Sequence, residues 1–405
     1  MESLPIVTLR GGEAERVVAG HPWIYQGAIQ RVKGQALPED GAVVVVKDHR
    51  QRVLGCGFFN GRSKIHVRML SPRVEVIDRD FFKGRIERAI ALRALELPGA
   101  TSYRVVNAEG DLLSGLIVDK YEDVLVLQTS SLGMDRRKSE IVSVLEELLK
   151  PRAIYERNDA TFRKFEGLEN SQGLLSGEAV SPVPVRMNGL EFEADLSEGH
   201  KTGLYLDQQV NYRLVADLLS RRPVGKMLDA FTFQGGFALH AARAGVGEVL
   251  GLDQSEDCVG MAGRLAERNG VAGQCRFEAA NVFDWLKVKT ARREGERLEP
   301  DYDAVVLDPP SFTRTRAAVG DALRGYKEIH LRAMKLVKPG GMLATFCCSH
   351  HVDARTFLDV ILSAAYDARK LLRRVAVYGQ SPDHPVIPSI PETEYLKGYA
   401  FEVIR

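Results

Sequence analysis

The 405-residue sequence predicts an α/β protein in three parts, and three observations carry that prediction. From Val224 onward, strand-like and helix-like segments alternate strictly. Ahead of Arg73, short β-prone runs alternate apolar and polar residues between glycines. Between these regions, helical spacing and strand patterns are mixed.

The front region is typified by GAVVVVKDHRQRVLGCGFFNGRSKIHVRML, which reads as a small β-rich domain over residues 1–75. At FFKGRIERAIALRALEL the apolar residues recur at helical spacing, and Leu97-Pro98-Gly99 supplies a turn. Strand-like YRVVNAEGDLLSGLIVDKYEDVLVLQTSS, a helix through KSEIVSVLEELLK, the strand AIYERND and a loop-rich EGLENSQGLLSG complete an α+β unit over residues 76–195.

The remainder, residues 196–405, carries the regular alternation. Strands GKMLDAF, GEVLGLD, QCRFEAAN, YDAVVLDPP and MLATFCCS are interleaved with helices FALHAARAG, SEDCVGMAGRLAERNG, FDWLKVK, YKEIHLRAMKLVKPGG and RTFLDVILSAAYDAR. Such alternation builds a mostly parallel sheet with helices on both faces, and its ligands sit at the carboxyl ends of the strands.

Composition narrows the function classes. The chain is 45% hydrophobic and 27% charged, which excludes a disordered protein. It has no run of about 18 apolar residues and no signal-peptide pattern at its start, so no membrane association and a cytoplasmic location are expected. The five cysteines show no metal-ligand spacing and read as free thiols. A net charge of +1 excludes a surface that grips nucleic acid all round. The positive excess is local: residues 1–75 hold 11 Lys+Arg against 7 Asp+Glu.

Two strand ends suggest a nucleoside site. The first runs from Asp229 into AFTFQGGF, which puts Gly235 and Gly236 at a helix N-terminus where backbone can approach a ligand. The second ends at Asp253, about 20 residues on, where a carboxylate can accept from a ribose diol. The full G-x-G-x-x-G pattern is absent, which fits a cofactor with a nucleoside and no pyrophosphate, such as S-adenosylmethionine. Asn281, ending the third strand, lies where an adenine edge would be met; a turn role is the alternative.

Two further strand ends carry the chemistry. Paired prolines in Asp308-Pro309-Pro310-Ser311-Phe312 hold Asp308 rigidly at the cleft on an extended backbone. One strand later comes Phe346-Cys347-Cys348-Ser349. A thiolate is the natural nucleophile toward a carbon that is not itself nucleophilic, and attack at C6 of cytosine makes C5 able to accept a methyl group. Cys347 and Cys348 point to opposite faces, so one at most faces a substrate. His350 and His351 read as loop residues.

HPWIYQGAI, SKIHVRML, NAEGDLLSGLIVDKY, GHKTGLYLDQQ, AFTFQGGF, LDPPSF, RGYKEIH, TFCCS and DHPVIPSIPETEYLKGYAF together resemble large-subunit rRNA cytosine-5 methyltransferases with an N-terminal PUA domain. These segments span nearly the whole chain in order. The resemblance implies a PUA-like RNA-binding domain (1–75), a central α+β domain (76–195) and a Rossmann-like class I methyltransferase domain (196–405) acting on 23S rRNA or its precursor. It implies Cys348 as the catalytic thiol, with Cys347 in place of a serine, and Asp308 as a contact to the target cytosine. It also implies a cofactor set of Tyr205, Gln208, Phe231, Thr232, Gly235, Asp253, Asn281, Asp308 and Pro309, with Tyr205 and Gln208 closing over the cofactor. Three departures stand out: Gln209 replaces an arginine, Asn281 an aspartate, and Ser114 a proline, the last read as neutral.

Two alternatives stay open: a methyltransferase acting on uridine C5 or a base nitrogen, and a catalytically decayed RNA-binding assembly protein. Asp253, Asp308 and Cys348 are all present, which a decayed site has little reason to keep. A homodimer is compatible with the sequence.

Overall fold

The computed structural model describes residues 4–34, 37–158, 161–196, 203–291, 298–313 and 315–405. Two compact units emerge: Met1–Met187 with Glu193–Leu206 and Pro382–Glu394, and Asn188–Phe192 with Asp207–Ser381 and Tyr395–Arg405. Among the described residues no helix is long and apolar enough to cross a membrane.

The first unit opens with a six-stranded sheet ordered Trp23–Tyr25, Ile65–Ser71, Val53–Phe59, Val43–Lys47, Ile6–Leu9, Ile29–Lys33. Only the Ile6–Leu9 and Val43–Lys47 pair is parallel. Its alternating apolar residues, among them Val7, Leu9, Val44, Val46 and Val67, turn inward to form a small core. The helix Arg79–Glu96 then starts where Asp78 accepts a hydrogen bond from the Phe81 amide at 3.1 Å. A five-stranded sheet follows, ordered Ser171–Gly177, Ala153–Asn158, Val124–Thr129, Leu116–Tyr121, Tyr103–Asn107.

Ser171–Gly177 differs from the loop expected there. Gly177, which reads as a loop signal, is demanded by the strand pairing: a Cβ there would lie 2.0 Å from the Arg152 carbonyl. Ser114 is also not neutral. Its hydroxyl donates to Glu109 at 2.6 Å and accepts from the Trp23 indole and from Arg68, each at 3.3 Å. Arg68 also binds Glu166 at 2.9 Å, and Glu166 accepts from Ser63 at 2.6 Å. A proline at 114 could make none of these bonds.

The second unit is built on a seven-stranded sheet. Its elements are β1 (Lys226–Ala230), α1 (Gly236–Arg243), β2 (Glu248–Asp253), α2 (Glu256–Arg268), β3 (Cys275–Ala279), α3 (Val282–Thr290), β4 (Tyr302–Leu307), α4 (Val319–Leu336), β5 (Val337–Cys347), α5 (Ala354–Ala368), β6 (Leu372–Gly379) and β7 (Lys397–Val403). The order is β3-β2-β1-β4-β5-β7-β6, parallel except for β7. On one face of the sheet Leu228, Val305 and Leu343 pack with Tyr326 of α4 and Phe357 of α5, all fully buried.

Two boundaries depart from expectation. The helix expected to run through Lys338-Pro339-Gly340-Gly341 ends at Leu336, because proline pushes the preceding residue out of helical conformation. Gly340 then takes a φ of +79°. Strands β6 and β7, which no turn signal announced, complete the sheet; the chain between them contains Pro382–Glu394, which belongs to the first unit.

Arg93 is the largest fully buried side chain, and its guanidinium grips Asp111 at 2.5 and 2.8 Å and the Arg104 and Asp383 carbonyls at 2.7 and 2.6 Å. Replacing one member of such a pair strands a buried charge. Arg93→Met is therefore expected to lower unfolding free energy by about 3–5 kcal/mol in urea titration, and adding Asp111→Asn should restore part of it. Equal stability of Arg93→Met and wild type would refute this account.

Candidate active site

The strand order reverses between β1 and β4, so the loops leaving their carboxyl ends diverge and open a crevice. AFTFQGGF leaves β1 and DPPSF leaves β4. The loop after β5 carries Cys348 beside them in strand order.

The loop after β1 is tightly wound. Phe231, Phe233 and Gly235 have φ of +67°, +51° and +83°, a conformation costly for two bulky residues. Asp229 holds it: one carboxylate oxygen accepts from the Thr232 hydroxyl at 2.6 Å and from the Ala238 amide at 3.0 Å. Its other oxygen is buried without a partner among the described residues. Burial pushes this carboxyl up to about 7. Sequence reading passed over Asp229; its signal was an acid at the buried end of an apolar strand.

The two glycines differ in role. Gly235 supplies the left-handed turn, whereas a Cβ on Gly236 would sit 2.5 Å from the Tyr212 ring, so Gly236 is a packing glycine. Beside this loop, at the end of β2, Asp253 accepts from the Phe233 amide at 2.9 Å and the Ser255 amide at 3.1 Å, one bond on each oxygen. Each oxygen keeps a lone pair for a ribose hydroxyl. Asn281 caps α3, accepting from the Phe283 and Asp284 amides at 3.0 and 3.3 Å. Its carbonyl is thereby engaged in the cap, and its exposed amide nitrogen is the group that can donate to a ring nitrogen.

Asp308 receives the Gln208 amide at 2.9 Å; Gln208 is in turn held by Asn211 at 2.6 Å, and Asn211 also donates to the Gly379 carbonyl at 2.8 Å. Gln208 thus orients Asp308. Tyr205 lies just ahead of the crossover at Leu206/Asp207, in the other compact unit, and is half-buried. Pro309 is buried. Behind the crevice Phe231, Phe283 and Phe312 form an aromatic cluster, with Phe283 and Phe312 centroids 5.5 Å apart and the Phe312 ring tilted 38° against Tyr326 at 4.6 Å.

Cys347 and Cys348 separate as alternation requires. Cys347 is fully buried, and its thiol lies 3.4 Å from the Tyr326 hydroxyl. The hydrogens can be assigned along the chain of groups beyond it. Ser311 must donate to the Thr313 carbonyl at 2.8 Å, so Ser349 donates to Ser311 at 2.8 Å, Tyr326 to Ser349 at 3.1 Å, and Cys347 to Tyr326. This one-way relay ties the DPPSF loop to the turn after Cys348 and ends at Cys347, the donor to Tyr326. Burial raises the Tyr326 pKa and keeps the phenol neutral. Cys348, just past the end of β5, is half-buried.

The acceptor set of Asp253, the cap at Asn281 and the wound loop at Gly235 suit a nucleoside cofactor. Residues 162–390 match the S-adenosylmethionine-dependent methyltransferase family, and residues 7–72 match a PUA-like domain. The chain is 38% identical over 402 residues to ribosomal RNA large subunit methyltransferase I of Shewanella amazonensis, covering 98% of this chain and 99% of that one. The Klebsiella pneumoniae protein of the same name is 35% identical over 407 residues, covering 99% and 98%. A solved SAM-dependent methyltransferase fold from Streptococcus mutans superposes with a TM-score of 0.80 at 18% identity, over 98% of this chain and all of that one. Another solved chain, complexed with SAH, gives 0.81 over the same coverage, also at 18% identity.

Fold and site thus define an S-adenosylmethionine-dependent methyltransferase, with a PUA-like domain ahead of it. Within that class, the chain belongs to the ribosomal RNA large subunit methyltransferase I family.

Three buried groups set opposing pH responses in the second unit. His240 donates from Nδ1 to the Gly236 carbonyl at 2.7 Å, and His330 from Nδ1 to the Tyr326 carbonyl at 2.6 Å; burial lowers both to about 4. Depressed folded-state values mean stability present above about 6.5 that is lost as pH falls toward 4. Asp229, raised, works the other way: its contribution is full below about 4 and is lost as pH climbs through 7. Asp229→Asn retains the acceptor and removes that loss. The variant should gain stability relative to wild type as pH rises from 4 to 7, by up to about 1.4 kcal/mol per unit. Urea midpoints that track wild type across this range would contradict it.

Proposed function

We propose that this chain methylates C5 of a cytosine in large-subunit ribosomal RNA or its precursor through a covalent adduct between Cys348 and C6. The observation that carries this reading is the inequality of the two cysteines: Cys347 is a buried donor locked to Tyr326, while Cys348 stands beyond the strand end beside the DPPSF loop. The relatives' names supply the ribosomal substrate.

Asp253 would accept from the ribose diol of S-adenosylmethionine, the wound loop from Phe231 to Gly235 would wall the nucleoside, and the Asn281 amide would donate to the adenine ring. The bound cofactor supplies an electrophilic methyl group on a sulfonium. Pro309 completes the proposed lining. Asp308, fixed by Gln208 and Asn211, would hydrogen-bond the target base and orient C6 over Cys348. Thiolate attack at C6 forms an S–C6 bond and moves an electron pair to C5, which takes the methyl group. Loss of the C5 proton to a base and expulsion of the sulfur then restore the aromatic ring.

The target base must leave its stack to reach the crevice. We further propose the division 1–75, 76–195 and 196–405 into RNA-binding, central and methyltransferase domains, with the basic excess of the first contacting phosphate.

Cys348→Ala is expected to lose at least about 10³-fold in methyl transfer to unmodified rRNA while titrating S-adenosylmethionine with unchanged affinity. RNA containing 5-fluorocytosine should trap a covalent complex with the wild type and none with the variant. Full transfer by Cys348→Ala refutes the nucleophile, and transfer without trapping points to a base nitrogen instead.

A further inference from the structure

The antiparallel register of β5 and β7 sets Lys397 opposite Cys347, one residue before Cys348. Lys397 is 8% exposed, an unusual place for an ammonium, which loses its hydration on burial. It donates to the Ser349 carbonyl at 2.6 Å and to the Val352 carbonyl at 2.7 Å. Those acceptors bracket the turn that follows Cys348, a turn closed by the Val352 amide on the same Ser349 carbonyl at 3.3 Å.

We propose that Lys397 is a positioning residue for Cys348: it fixes the turn that aims the thiol and supplies the buried positive charge that favours thiolate over thiol. This rests on the reading of Cys348 as nucleophile. A cation beside a cysteine lowers its pKa, and attack at C6 requires the thiolate, the proton passing to water. Of the other groups near the thiol, Asp308 on the loop after β4 is the carboxylate that opposes that charge, and it is engaged by the Gln208 amide at 2.9 Å. On α4, Tyr326 is kept neutral by burial, and on β5 Cys347 is a thiol that donates to it. On β6, Tyr378 is pushed up to about 12 by burial and is neutral, and on β7 Tyr399 is likewise raised by burial. His350 and His351 are exposed in the turn itself. Asp353 is the one carboxylate in the turn; it caps α5 through the Thr356 amide at 2.7 Å and is itself held low, in part by Lys397.

The test is alkylation of the full-length protein by iodoacetamide across pH 5–10, with the Cys348 peptide quantified by mass spectrometry. Cys275, which burial pushes up to about 12, is the internal slow control. In the wild type, Cys348 should have a midpoint below the ordinary thiol value of about 8.5. Lys397→Gln, which keeps an N–H donor and removes the charge, should raise it by about one unit, roughly a tenfold slower reaction at pH 7. Lys397→Arg should stay within about twofold of wild type. A wild-type midpoint at or above 8.5 overturns the proposal with no variant needed, as does an unshifted midpoint in folded Lys397→Gln. Alkylation uses neither RNA nor methyl donor, so this result is independent of whether Cys348→Ala loses methyl transfer.

Discussion

The adjacency of β1 and β4 in the sheet is the constraint on which the candidate site depends. Parallel strands all deliver their carboxyl ends to one edge, and only where the order reverses do two successive loops turn away from one another. The β1 loop winds tightly from Phe231 to Gly235, and the β4 loop is a rigid proline-bearing arm. One strand further on, β5 delivers a cysteine to the same edge. Three chemically unrelated segments, far apart in sequence, are thereby brought within one crevice without any of them needing to be long or mobile.

Holding that geometry has costs that can be located. Phe231 and Phe233 take left-handed conformations, which the chain tolerates only because Asp229 binds both the Thr232 hydroxyl and the first turn of α1, and because Asp253 takes the Phe233 amide. Asp229 bears its own penalty, a carboxyl kept out of water with one oxygen unsatisfied among the described residues. Stability has been given up locally for a preorganised loop, as is common where a backbone must meet a ligand.

How much of this was legible depended on whether a residue's task is local. The alternation that predicts the doubly covered sheet, the switch-point loops and the opposite faces of Cys347 and Cys348 all follow from periodicity and strand pleat, so they could be read from the sequence. Ser114 could not: its partners Trp23 and Arg68 come from a different sheet, and no local pattern announces a hydrogen-bond hub. Likewise Gln208 reads as part of a cofactor motif, yet its amide is committed to Asp308 a hundred residues on. Strands β6 and β7 were missed because hairpin recognition relies on a short turn, and here the intervening chain departs to the first unit before returning. Long-range pairing and side-chain networks are tertiary facts.

The front half shows how such a network fixes the arrangement of neighbouring segments. Trp23 and Arg68 belong to the six-stranded sheet, whereas Glu109, Ser114 and Glu166 belong to the segment beyond it, and all five meet in one largely buried polar cluster. Buried ion pairs add little to net stability, but every member must be present, since removing one strands the rest. The consequence is a joint with one arrangement in place of many. The six-stranded sheet and the α+β segment are thereby held in one mutual arrangement within the first unit. Order within the first unit is set, on this view, by a hydrogen-bonded cluster as well as by its apolar cores.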